Sequence, residues 1–269
     1  MTIGIGVICS ESKHHPDHLI LASDALGSFG DAYSTMGHHK LFLHPESKVY
    51  AVGADDLEHC GDVVQKIVNG VAGLSQRTFG LIHDVIARAV WAHRSARFKY
   101  DVLPEFDIEP SDHWRKDAEK KGLLNKLDKR WQRFETNCLL IVSTFDENGI
   151  AAQFLVEPNG KVQSVMLPGF IAIGSGQDNA LFWLGYRDQN GGMGVRQSAY
   201  HVYEAKRMAE QSPHVGKGDV DLLVASNDRF FLLNKSNPAP QDSPVSLPEL
   251  EEMWRKFGPS ETTDLERKE

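Results

Sequence analysis

Thr2-Ile3-Gly4-Ile5-Gly6-Val7-Ile8-Cys9 begins the chain with β-branched residues and glycine in alternation, and His18-Leu19-Ile20-Leu21-Ala22-Ser23-Asp24 follows a polar stretch containing Pro16. Alternation over this length is the pattern of a strand, so the first segment reads as a strand that starts almost at residue 1. The second is apolar at nearly every position, so it reads as a buried strand closed by a carboxylate. The polar residues between them form a hairpin loop. After Asp24, residues 25–35 are rich in Gly, Ser and Asp and read as a long loop. Two more short strands follow, at 40–43 and 48–52, joined by His44-Pro45-Glu46-Ser47.

Further along, the period changes. Cys60, Val63, Val64, Ile67, Val68 and Val71 recur at helical spacing, as do Leu81, Ile82, Val85, Ile86, Ala89, Val90 and His93. Residues 97–136 are highly charged and contain Pro104 and Pro110. They read as an insertion with an exposed helix from about Ser111, its N-cap. Strand patterns return at 137–144, 151–157, 161–165 and 169–173, with Asp146-Glu147-Asn148-Gly149 and Pro158-Asn159-Gly160 as turns. Two helices, around 177–186 and 195–211, precede a last hairpin at 221–234. The tail after Ser236 is Pro-rich and polar, and reads as a loosely attached extension with a short helix at 247–257. Strands cluster with strands and helices with helices, which excludes a βαβ alternation. The economical packing is α+β, a four-layer αββα sandwich of two antiparallel sheets flanked by helix pairs. One domain is expected over 1–235, with 236–269 as the extension.

Composition narrows the function. The 269 residues are 41% hydrophobic and 25% charged, ordinary for a globular chain. Net charge is −8 with no basic block, a poor basis for gripping nucleic acid. No apolar run approaches the ~20 residues that span a bilayer. Three cysteines, Cys9, Cys60 and Cys138, do not make a disulfide framework. The first residues lack a basic n-region, so no signal peptide is read and a cytoplasmic location is expected.

Chemistry gathers at the amino end. Thr2 follows Met1, and Met before a small residue is readily removed, which would leave Thr2 with a free α-amine. Such a residue holds a nucleophile and a base together: an amine of pKa ~7.7–8.0 can take the proton of its own hydroxyl. Asp24 closes one strand and Lys40 opens another. A Lys beside the hydroxyl would favour its ionisation and depress the amine pKa, and Asp24 could hold that Lys in place. An ordinary ion pair between strand ends fits the same two residues.

These features resemble the proteasome β-subunit family, within the N-terminal nucleophile (Ntn) hydrolases. The likeness rests on Thr2-Ile3-Gly4-Ile5-Gly6, Leu21-Ala22-Ser23-Asp24, Lys40-Leu41-Phe42, Ala51-Val52-Gly53 and Gly174-Ser175-Gly176, on the late Gly-then-Asp-Val pattern before the last hairpin, and on their order. It implies that Thr2 is nucleophile and base, that Asp24 and Lys40 tune it, and that Ser175 assists. It further implies that the Gly53 N–H faces the oxyanion and that Ser28 pairs with substrate backbone. The expected activity is cleavage of peptide bonds in a peptide or protein substrate, with no cofactor or metal, by a homo-oligomer without nucleic-acid or membrane partners. Whether an ATPase serves it is left open. The chain departs from the family at Leu26, where a basic residue is usual, and near Gln197 and Ser198, where an acid is expected. The 97–136 insertion and the tail are also departures. A non-catalytic structural subunit and an Ntn amidase or peptide ligase fit the same residues.

Other features read more plainly. His14, His15 and His18 lie in a hairpin rather than at metal-ligand spacing. His38 and His39 are strand-edge polar residues, Cys9 is a core residue, and residues 191–194 connect helices rather than cradle phosphate.

Overall fold

The computed structural model describes residues 3–10, 17–24, 40–212, 215 and 219–259. The chain builds two five-stranded antiparallel sheets. The first contains β1 (Ile3–Cys9), β2 (His18–Asp24), β8 (Phe170–Gly174), β9 (Val220–Ser226) and β10 (Phe230–Leu233), in the order β10-β9-β2-β1-β8. The second contains β3 (Leu41–His44), β4 (Val49–Asp55), β5 (Cys138–Phe145), β6 (Ala151–Val156) and β7 (Val162–Ser164), in sequence order. Two helices, α1 (Leu57–Ala72) and α2 (Phe79–Asp101), share a core with the second sheet. On the other side, α5 (Gln177–Tyr186) and α6 (Val195–Ala209) share one with the first. A third core lies between the sheets, so the expected αββα layering is what the chain forms.

The alternation of β1 explains how the layers fit. Ile3, Ile5, Val7 and Cys9 face the helices, and Cys9 is the core residue its composition suggested. Gly4 and Gly6 fall on the opposite, inter-sheet side. A Cβ at Gly4 would stand 3.0 Å from both Ile173 Cγ1 and Val52 Cγ2, and one at Gly6 would stand 2.9 Å from Gln153 Nε2. The glycines are therefore the condition for β1 to lie close against the second sheet.

Helix ends follow their caps. Asp56 accepts the N–H groups of Glu58 and His59 at 2.9 and 3.1 Å and starts α1. Thr78 caps α2, and Ser246 caps α7 (Leu247–Phe257), whose bounds match the sequence reading.

Two expectations are corrected. The insertion is not one exposed helix begun by Ser111. It is two short helices, α3 (Trp114–Lys120) and α4 (Leu124–Gln132), around a core of their own containing Phe98, Leu103, Ile108, Trp114 and Leu127. The charges lie outside and the aromatic residues between them turn inward, which a count of charges hides. Likewise, residues 236–259 are not loosely attached. Val245, Leu247, Leu250 and Trp254 are buried against α6, because α7 carries its apolar residues at positions 247, 250 and 254, along one face. Among the described residues no helix is long and apolar enough to cross a membrane.

Candidate active site

Asp24 ends β2 beside the start of β1. Its side chain is 1% exposed, and its Oδ1 accepts the backbone N–H of Ile3 at 3.1 Å. Its Oδ2 lies 2.7 Å from Nζ of Lys40, itself 3% exposed, immediately before β3. The two residues singled out by their places at strand ends are thus one buried ion pair. Burial lowers the Lys40 pKa from its ordinary value, and the Asp24 carboxylate, by charge and hydrogen bond, and then Asp221 push it back. Such a lysine is a buried cation whose charge the Asp24 carboxylate supports against desolvation.

Ser175 leaves β8 next to the same place. The β1–β8 register pairs Ile3 with Gly174, so Ser175 is one residue beyond Ile3's partner. Gly174 has φ +91°, the conformation that turns the chain from β8 towards α5 and suits glycine. Thr2 and Ser28 lie outside the described residues, as do Leu26, His14, His15, His38 and His39. His18 is half-buried on β2, its Nδ1 2.8 Å from Asp17.

The oxyanion role expected of Gly53 is corrected. Its N–H already donates to the Lys40 carbonyl at 2.9 Å, extending the β3–β4 ladder, and an amide engaged in this way does not turn towards a substrate. Along a strand, amides of one parity face one neighbour, so the next N–H on that edge belongs to Asp55. Asp55 ends β4 with φ +70°, in the left-handed region where Asp and Asn are enriched among non-glycine residues.

The acid expected near Gln197 and Ser198 is absent there: Ser198 is buried and accepts a hydrogen bond from Gln189 at 3.0 Å. The buried acids of α6 come later. Glu204, fully buried, takes both arms of the Arg187 guanidinium, and Glu210, just past the end of α6, pairs with Lys206 and Arg207. Lys206, also fully buried, was not legible in the sequence, because a Lys in a mixed helix looks like a solvated one. The signal was its spacing of four from Glu210, which places the two side chains on one face of the helix.

No known family model matches the sequence, and no curated protein matches it. A solved structure of Anbu, a Gly-1 mutant from Hyphomicrobium sp. strain MC1, is similar over 95% of this chain and 94% of that one, with a TM-score of 0.60 at 14% identity. The fold is a proteasome-like Ntn fold. At this identity the likeness carries architecture, and the chemistry has to be argued from the residues of this chain.

Proposed function

We propose that this protein is an N-terminal threonine hydrolase that cleaves peptide bonds after Met1 is removed, working in the cytoplasm as a homo-oligomer. The observation that carries the reading is the buried Asp24–Lys40 pair hydrogen-bonded to the amide of Ile3, the residue to which Thr2 is joined. A buried pair is expensive to desolvate and adds little stability over apolar packing. Its place at the amide next to a threonine gives it a use. In this mechanism the Thr2 amine takes the proton of the Thr2 hydroxyl, directly or through water, while Lys40 favours the ionised oxygen. The oxygen adds to the scissile carbonyl, and the Asp55 N–H meets the oxyanion, a contact worth ~3 kcal/mol where such donors are preorganised. The tetrahedral intermediate collapses to an ester as the amine returns its proton to the leaving nitrogen. Water then cleaves the ester with the same amine as base, and Ser175 supports that exchange.

The test is covalent trapping. Incubation with peptide epoxyketones should give one adduct per chain, on the N-terminal peptide, lost in Thr2→Ala, with intact mass showing Met1 removed. Labelling at Cys9 or Ser175, or none across electrophiles with differing side chains, would favour a structural subunit of the same fold.

A further inference from the structure

Five tryptophans occur in the chain. Three of them, Trp91 of α2, Trp114 of α3 and Trp131 of α4, line one cavity of about 270 Å³ between α2 and the insertion. Phe98 is the buried member of the lining, its ring 5.6 Å from that of Trp114 and 5.1 Å from that of Trp131. Trp91 differs from these. It is 62% exposed and belongs to neither of the cores that flank it. The side chains that α2 sends towards the second sheet are others, among them Ile86, Ala89 and Val90. A large ring left uncovered on the wall of a cavity is surface that a ligand can bury. A second cavity of about 450 Å³ shares Trp91, Ser95, Lys99 and Asp112 with the first, so the two form one cleft along α2. Ala92, Ser95 and Ala96 also line it, and their small side chains keep that stretch of α2 open. These residues come from α2 and the insertion, and none belongs to the candidate active site.

Charge sets the class of ligand. The charged residues lining the cleft are Lys99, Arg115 and Asp112, two cations to one acid. Lys99 pairs with Asp112, and Arg115 with Asp128 at 3.0 Å. Each cation keeps donors beyond that bond, since an ammonium carries three and a guanidinium five. A carboxylate at the rim finds those donors, whereas a ligand ammonium meets two like charges. We propose that this cleft binds a small aromatic carboxylate, with its ring among Trp91, Trp114 and Trp131 and its carboxylate at Lys99 and Arg115. The smaller cavity lies at the low end of ligand pockets, which start at about 300 Å³, and so suits a single ring system. Flat aromatic walls favour a flat aromatic guest.

The test is titration of the full-length protein with naphthoate, followed by calorimetry and by the indole N–H resonances of all five tryptophans. Those of Trp91, Trp114 and Trp131 should shift saturably while those of Trp183 and Trp254 stay in place. Trp91→Ala should weaken binding about tenfold, and Arg115→Met about fivefold. With wild type, the neutral naphthamide should bind about fivefold more weakly than naphthoate, and naphthylmethylammonium more weakly still. No saturable shift at the three indoles, or shifts spread evenly over all five, overturns the site. So does an affinity unchanged in Trp91→Ala. Tighter binding of the ammonium than of the carboxylate would make the cleft an aromatic cage for cations and overturn the ligand class. If Trp91→Ala does not fold, Arg115→Met and the comparison of naphthoate with naphthamide decide the matter.

Discussion

The backbone N–H of Ile3 donates to Oδ1 of Asp24 at 3.1 Å, tying the first described residue of the chain to a carboxylate 21 residues away. The same carboxylate faces Lys40, so Asp24→Ala should remove a hydrogen bond and one half of a buried ion pair together. A loss of about 3–5 kcal/mol is expected, measured by urea unfolding. Asp24→Asn, which keeps an acceptor for Ile3, should lose less, and Asp24→Ala with Lys40→Met should recover much of the loss. An Asp24→Ala protein as stable as wild type would refute the buried pair.

Acid should destabilise the fold through His93. The ring is buried on α2 against His59, centroids 5.3 Å apart, and its Nε2 has no hydrogen-bond partner among the described residues. Burial, then His59, then the cations Lys66 and Arg97 hold its pKa down to about 4, with Asp62 opposing. The unfolded chain has its ordinary value near 6.5, so the unfolded state binds the proton first. Stability is unaffected above about 6.5, falls as pH drops from there towards 4, and levels below. The full effect is about 3 kcal/mol. Denaturation midpoints across this range should show the slope in wild type and a flatter one in His93→Leu.

Arg94 staples the insertion to α2. Its Nε donates to the Phe134 carbonyl at 3.0 Å and its Nη2 to those of Trp131 and Phe134 at 2.6 and 2.8 Å, with the guanidinium 4.2 Å over the Trp131 ring. Arg94→Met should cost about 1–3 kcal/mol. Amide exchange should quicken in α4 while β4 and β5 keep their protection. Equal protection everywhere would show that the insertion's own core suffices.

Trp254 anchors α7 to α6 and is 3% exposed. Trp254→Ala should cost about 3–5 kcal/mol and open the segment after residue 236 to limited proteolysis. Resistance equal to wild type would mean that Leu247 and Leu250 alone hold it.

What the sequence disclosed, and what it hid, divides along physical lines. Strand β1 was legible from its alternation and β2 from its apolar run, and α7 because its apolar spacing is regular. The Asp24–Lys40 pair was legible as two strand ends. The engagement of the Gly53 amide was not, because it depends on how β3 registers with β4, which no local pattern states. Lys206 was hidden because residue type predicts exposure and only tertiary packing reverses it. Phe98, Trp114 and Leu127 were hidden by the charges between them, which made a small folded unit look like a solvated stretch.

The strand order carries a consequence for how the chain comes together in time. All five strands of the second sheet lie between residues 41 and 164, paired in the order in which they are made, whereas the first sheet sets β1 and β2 between strands that begin only at residue 170. During synthesis the second sheet and α1–α2 can close while β1 and β2 wait as a hairpin for β8 and β9. Val220, the register partner of Asp24, belongs to that later stretch. The β1–β2 hairpin, with Asp24 at its end, therefore stays unpaired on both of its outer edges until β8 and β9 are made.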